Sequence, residues 1–196
     1  MAKAGKQNRQ NVVDKATNLY WEKGFHGTSM RNLQDEIDMR PGSIYAAFGS
    51  KEGLFKEALQ HYAQQGLIKL DTLKSISGSP LMGLKAFVEA AVIKSQTCAP
   101  SGLCMLTKTI SELTEEHAEL LTEAKHLLNE VEKGFEKTFI EAQKIGEVDK
   151  QKNAKQLARY LQIQIMGLRT YARVNHDQKA IKELIDGLFT SIQHPQ

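Results

Sequence analysis

Residues 24–55 read GFHGTSMRNLQDEIDMRPGSIYAAFGSKEGLF, three short helical pieces separated by turn residues and closed by an aromatic pair and a lysine. Gly24 suits the end of a first helix, where the left-handed conformation repels residues that carry a Cβ. Thr28 or Ser29 suits the cap of a second helix, since its side-chain oxygen accepts from an orphan backbone N–H. Asp38 and Met39 fall where a tight turn is needed, and Asp tolerates left-handed geometry better than most residues. Pro41 fits the first position of a third helix, where its missing N–H leaves no bond unmade. Tyr45 and Phe48 are three apart and are expected on one face of that helix. Ser50 is positioned to cap a fourth helix beginning at Lys51. This grammar spells a helix-turn-helix whose second member, about residues 40–48, is held ready for a DNA major groove.

Outward from this stretch the chain keeps a helical pattern. Val12, Val13, Ala16, Leu19 and Tyr20 form the apolar stripe of a helix expected over about residues 8–23, with Trp21 at its edge. Leu54, Phe55, Ala58, Leu59 and Tyr62 mark a longer fourth helix, the expected mechanical link to the rest of the chain. The run from Ser75 to Pro80 is the clearest break. Leu84, Phe87, Val88, Ala91 and Val92 then give a fifth helix ending before Ala99, and a short sixth passes Met105 and Ile110. A long seventh keeps one apolar face from Leu120 to Phe139. Between Asn153 and Val174 there are two stripes, Leu157, Leu161, Ile165 and Leu168 on one and Tyr160, Ile163, Met166 and Val174 on the other, with Gly167 permitting close approach. A helix with two apolar faces requires two neighbours, and one of them is expected to be a second copy of the chain. Ile181, Leu184, Ile185, Leu188, Phe189 and Ile192 mark the closing helix. The residues expected at the dimer interface are Leu157, Leu161, Ile165, Leu168, Leu184 and Leu188.

Composition agrees with an all-α chain of about nine helices. The 196 residues include only four prolines; 41% are hydrophobic and 25% charged, as in ordinary globular proteins. The net charge of +3 is modest, but Lys3, Lys6 and Arg9 supply it before any acidic residue, a basic arm of the kind that meets phosphate. No apolar run approaches the ~18 to 20 residues needed to span a bilayer. Polar residues follow the basic start where a signal peptide would be apolar, so the expected compartment is the cytoplasm. Two cysteines build no disulfide scaffold. The six histidines are scattered. A single Glu-x-x-His, Glu123 to His126, lacks the second copy that a helical di-iron site requires. No zinc spacing, phosphate-binding loop or nucleophile elbow is present. No catalysis and no cofactor are expected.

The pieces GTSMRNL (residues 27–33), GSIYAAFGSKEGLF (42–55) and ATNLYWEKGF (16–25) resemble the amino-terminal domain of TetR-type transcriptional regulators. The resemblance covers roughly residues 9–60, and the run Tyr45, Phe48, Lys51, Glu52 is its most specific part. Two departures stand out: Asp38 replaces a glycine usual in the turn, and Arg40 replaces a frequent small hydroxyl residue. The resemblance implies residues 1–52 as the DNA-binding domain and residues 53–196 as a helical effector-binding and dimerisation domain. The expected partners are a palindromic double-stranded DNA operator, a small-molecule effector and a second copy, with no membrane.

For DNA, Arg40 is the best candidate for a base contact, because a guanidinium bonds guanine O6 and N7 together, with a non-specific phosphate contact as the alternative. Pro41 and Ser43 lie near it, and Gly42 admits close backbone approach. Thr28, Ser29, Arg31 and Lys51 are expected at phosphates, and the resemblance assigns Tyr45 there too. For an effector, Phe87, Met105, Leu121, Phe135, Tyr160 and Met166 are large and apolar or polarisable. Cys98 and Cys104, which flank a Pro/Gly loop, are expected in the same pocket and would also make a thiol sensor, an alternative to small-molecule release. A helical scaffold for an unrelated partner is the remaining alternative.

Overall fold

The first helix begins earlier than its apolar periodicity indicates. In the computed structural model, which describes residues 2–193 and the side chains of residues 9–193, α1 runs Ala2–Lys23. Val12, Val13, Ala16, Leu19 and Tyr20 are all buried along it. The side chains of Lys3 and Lys6 lie outside the described residues. After α1 come α2 (Met30–Ile37), α3 (Pro41–Phe48), α4 (Lys51–Ser77), α5 (Pro80–Glu89), α6 (Ser95–Cys98), α7 (Met105–Glu112), α8 (Ala118–Lys144), α9 (Ala154–Val174) and α10 (Gln178–Gln193). No strand occurs among the described residues. The all-α expectation holds.

The chain forms two compact units. One gathers the described part of Met1–Gln64 with Cys104–Leu128, and the other gathers Gln65–Leu103 with that of Asn129–Gln196. Residue 52, the expected partition, falls one residue inside α4, which has no break there. A segment from the middle of the chain, α7, thus joins the helix-turn-helix unit. Its aromatic centre is Phe55, with Tyr20 edge-on at 4.7 Å and Phe25 at 5.0 Å between ring centroids.

The second unit closes over one apolar core in which Leu84, Val88, Phe139, Leu161, Ile165 and Ile185 are buried. The expected break at residues 75–80 shrinks to two residues: Gly78 at φ +65°, then Ser79 capping α5. Ser79 Oγ accepts from Met82 N–H at 3.0 Å and donates to the Glu147 carboxylate. Gly83 lies against α4 so closely that a Cβ there would stand 2.5 Å from the Lys74 Cα. The fifth helix does reach Cys98, but it widens to a π turn over Ala90–Lys94. Side-chain donors reach two carbonyls of that turn: Ser95 Oγ–H bonds Ala91 O at 2.5 Å and Gln96 Nε2–H bonds Val92 O at 3.2 Å. Two polar side chains of α9 are enclosed. Arg169 donates from Nε to the Gly102 carbonyl at 2.8 Å, while the buried Gln162 Oε1 has no hydrogen-bond partner among the described residues.

Candidate nucleic-acid interface

The turn between α2 and α3 is fixed residue by residue. Ser29 caps α2 in a reciprocal box: its Oγ accepts from Asn32 N–H at 3.1 Å, and Asn32 Oδ1 accepts from Ser29 N–H at 3.0 Å. Asp38 ends the helix at φ 52°, ψ 48°, the left-handed geometry expected of it. Arg40 then turns extended at φ −70°, ψ 150°, and Pro41 opens α3. The Arg40 carbonyl takes the first two bonds of that helix, from Ser43 N–H at 2.9 Å and Ile44 N–H at 3.1 Å. Ile44 and Phe48, four apart, are the side chains that α3 buries.

The remainder of α3 is open. Arg40, Pro41, Gly42, Ser43, Ala46 and Ala47 are exposed, and Tyr45 is 49% exposed. Tyr45 and Phe48 therefore do not share an environment, because the buried seam follows a spacing of four and leaves Tyr45 outside. A Cβ on Gly42 would meet nothing within 4 Å. Internal packing does not demand a glycine there. Arg31 is exposed as well, on the outer side of α2. Small residues with one guanidinium at the leading edge make a surface that a groove can receive.

Two expected phosphate contacts are placed differently. Thr28 is fully buried, its hydroxyl donating to the Gly24 carbonyl at 2.6 Å, so Ser29 alone caps α2 and Thr28 belongs to the corner behind it. The Lys51 ammonium points inward, 2.7 Å from the Phe25 carbonyl and 4.2 Å over the Phe25 ring. Burial lowers its pKa, opposed by the nearby Glu52 and Glu112 carboxylates. Lys51 is thus a brace between α4 and the α1–α2 corner. Arg9 is likewise engaged: it lies 4.3 Å over the Phe48 ring, donates to the Ala47 carbonyl at 2.9 Å and pairs with Glu57. At the start of α4, Ser50 Oγ accepts from the Gly53 N–H at 3.0 Å.

Sequence reasoning missed the residues that seat the corner. Asn32 completes the capping box from three residues away, a spacing legible in hindsight. Glu112 and Lys108 come from α7, more than eighty positions along the chain. Glu112 accepts Phe25 N–H at 3.2 Å and His26 N–H at 2.7 Å. Lys108 Nζ donates to the Trp21 carbonyl at 2.8 Å and the Glu22 carbonyl at 3.0 Å.

The expected dimer face needs correcting. Leu161, Ile165, Leu168 and Leu188 lie in the core of their own unit, and Leu157 packs against it. The outward stripe of α9 is the other one, with Ile163 64% and Val174 77% exposed, and Tyr160, Met166 and Tyr171 between 40% and 46%. Leu184 of α10, 49% exposed, is the one member of the expected set that faces outward. Gly167 shares this stripe, and a Cβ there would meet nothing.

The expected effector residues do not share one unit. Phe87 and Phe135 meet edge-on at 5.7 Å in the second core. Met105 and Leu121 are buried in the first unit. Tyr160 and Met166 lie on the outward stripe of α9, 44% and 40% exposed. Cys98 is exposed with the Thr97 hydroxyl 3.4 Å from its Sγ, and Cys104 is half-buried. No group of three or more His, Cys, Asp or Glu among the described residues is placed to hold a metal. Glu123 instead accepts from Gln60 at 2.8 Å. No described helix is long and apolar enough to cross a membrane.

Comparison with known proteins agrees with this geometry. The family model for bacterial regulatory proteins, tetR family, matches residues 12–58. That for the tetracyclin repressor-like C-terminal domain matches residues 80–188. The HTH-type transcriptional repressor DhaR of Mycobacterium sp. (strain GP1) is 24% identical over 186 residues, 94% of this chain and 91% of that protein. The HTH-type transcriptional repressor ComR of Escherichia coli (strain K12) is 24% identical over 168 residues, 85% and 80% of the two chains. Among solved structures, a cysteine-substituted variant of the TetR family regulator CifR, complexed with 26-bp double-strand operator DNA, superposes with a TM-score of 0.80 at 24% identity, covering 93% of this chain and 96% of that one. A TetR transcriptional regulator from Chloroflexus aurantiacus gives 0.80 at 21% identity, covering 98% and 96%. At these identities the superpositions speak to the fold.

Proposed function

Because the chain belongs to the TetR family of bacterial regulatory proteins, a family of DNA-binding transcriptional repressors, we propose that it binds a partly palindromic operator as a homodimer and leaves it when a small molecule binds. The exposed edge of α3 carries this reading. Arg40 stands extended at its leading end, Gly42 and Ser43 offer no bulk, and Ile44 and Phe48 anchor the opposite side. Arg40 reads a guanine through O6 and N7. Ser29, Arg31, Tyr45 and the amino-terminal backbone of α4 meet phosphates and fix the register without reading sequence.

One reading head is small, so two are required, related by a dyad and about 34–36 Å apart or a multiple of that spacing. The outward stripe of α9 with Leu184 supplies the self-complementary apolar surface that a two-fold interface needs. An effector acts by favouring the conformation that fits DNA less well. Gln162, enclosed and with an unanswered carbonyl oxygen, suits a ligand carrying an N–H or O–H donor.

Purified protein is mixed with fragmented genomic DNA at low ionic strength and the retained fragments are sequenced. The expected product is a small set sharing an imperfect palindrome. Retention no better than for scrambled DNA overturns the reading.

A further inference from the structure

The α1–α2 corner immediately precedes the reading helices, and its hold comes from far along the chain. Lys108 and Glu112 are four apart on α7 and so project from one side of it. The Lys108 ammonium lies on the Trp21 and Glu22 carbonyls, near the end of α1 where the helix dipole is negative. The Glu112 carboxylate takes the Phe25 and His26 N–H groups, which continue the chain beyond that helix. Each charge meets backbone of the opposite polarity, so the pair tolerates only one orientation of the corner. The fit is close: a Cβ on Gly24, which holds φ +80°, would stand 2.5 Å from Glu112 Oε2. The same corner is also gripped by Lys51 through the Phe25 carbonyl and ring. Both α7 residues fall within the stretch matched as the C-terminal domain, although they pack in the unit that holds the helix-turn-helix.

We infer that Lys108 and Glu112 are positioning residues for operator binding, a two-ended clip that seats the α2–α3 pair without touching DNA. This rests on the DNA-binding reading above. Loosening the clip lets the corner sample orientations that present Arg40 poorly, so affinity falls. The count of phosphates met in the bound state stays the same.

Operator fragments recovered by the genomic selection serve as probe, with binding titrated over several salt concentrations. Glu112→Ala is expected to weaken binding about tenfold, Lys108→Met by a similar factor, and Glu112→Gln, which keeps an acceptor, by less than Glu112→Ala. The slope of log affinity against log salt is expected to stay at the wild-type value in all three, because lost phosphate contacts are what change it. Amide exchange at Phe25 and His26 is expected to accelerate in Glu112→Ala and to return toward wild type in Glu112→Gln. Unchanged affinity in both Glu112 variants, or a reduced salt slope in Lys108→Met, overturns the clip while leaving the DNA reading intact. Should Glu112→Ala not fold, Glu112→Gln decides through the same exchange and affinity measurements. Wild-type protein that retains no fragment removes both.

Discussion

Helices α3 and α9 each leave a face uncovered, and the two faces are chemically opposite. The open side of α3 carries glycine, serine, two alanines and one tyrosine beside a guanidinium. That of α9 carries Ile163, Val174, Tyr160, Met166 and Tyr171. Burying the α9 side chains from water stabilises a contact by about 25 cal/mol per Å² of apolar surface, which favours another apolar face. The α3 surface gains little from such burial, but its low relief admits a polar, charged duplex. One fold therefore exposes two surface chemistries, and the difference lies in side-chain size and polarity more than in net charge.

Putting a charge on the α9 face separates the two most sharply. Ile163→Arg is expected to weaken self-association by at least about a hundredfold, roughly 3 kcal/mol on the scale of interface hot spots. Cooperative operator binding is lost with it, while circular dichroism remains helical; sedimentation shows the change, and an unaltered dimer would return α9 to the solvent. Within α3 the contrast is between its two sides. Ile44→Ala is expected to destabilise the first unit by about 2–5 kcal/mol, whereas Tyr45→Ala moves stability by less than about 0.5 kcal/mol and acts on DNA affinity. Urea melts paired with binding titrations resolve the two. Arg40→Ala is expected to reduce the preference for the selected operator over scrambled DNA by about 1–3 kcal/mol. Equal losses on both sequences reassign Arg40 to the phosphates.

Two smaller effects probe turns and ties. Asp38→Gly relieves a left-handed residue of its Cβ and is expected to raise stability by about 0.5 kcal/mol, read as a modest rise in melting temperature. In the second unit, hydrogen bonds from Lys85 and then Lys182 hold the Asp186 carboxyl below its ordinary pKa. Its contribution is thus present above the unfolded-state value and disappears as pH falls through the folded one. Asp186→Asn is expected to flatten that acid limb slightly, with no change near neutrality in the pH dependence.

The comparison also explains what the sequence made legible. The reading head is written in local chemistry. Gly24, Ser29, Asp38, Pro41 and Ser50 each act on backbone within a few residues, so the order of the letters suffices. The second unit is written in pairings. Both stripes of α9 are apolar, and only the positions of α5, α8 and α10 decide that Leu161, Ile165 and Leu168 go inside. The inward turn of Lys51 depends on where the Phe25 carbonyl ends up, and the hold of Glu112 on a segment more than eighty residues earlier. Period and spacing carry neither.

The corner between α4 and α5 has a practical consequence for anyone wishing to attach a reporter to this protein. Its small polar letters advertise a permissive insertion point, yet Gly83 brings two backbones almost into touch within one turn of it. A fluorescent module spliced there would wedge the hairpin apart before it could report anything.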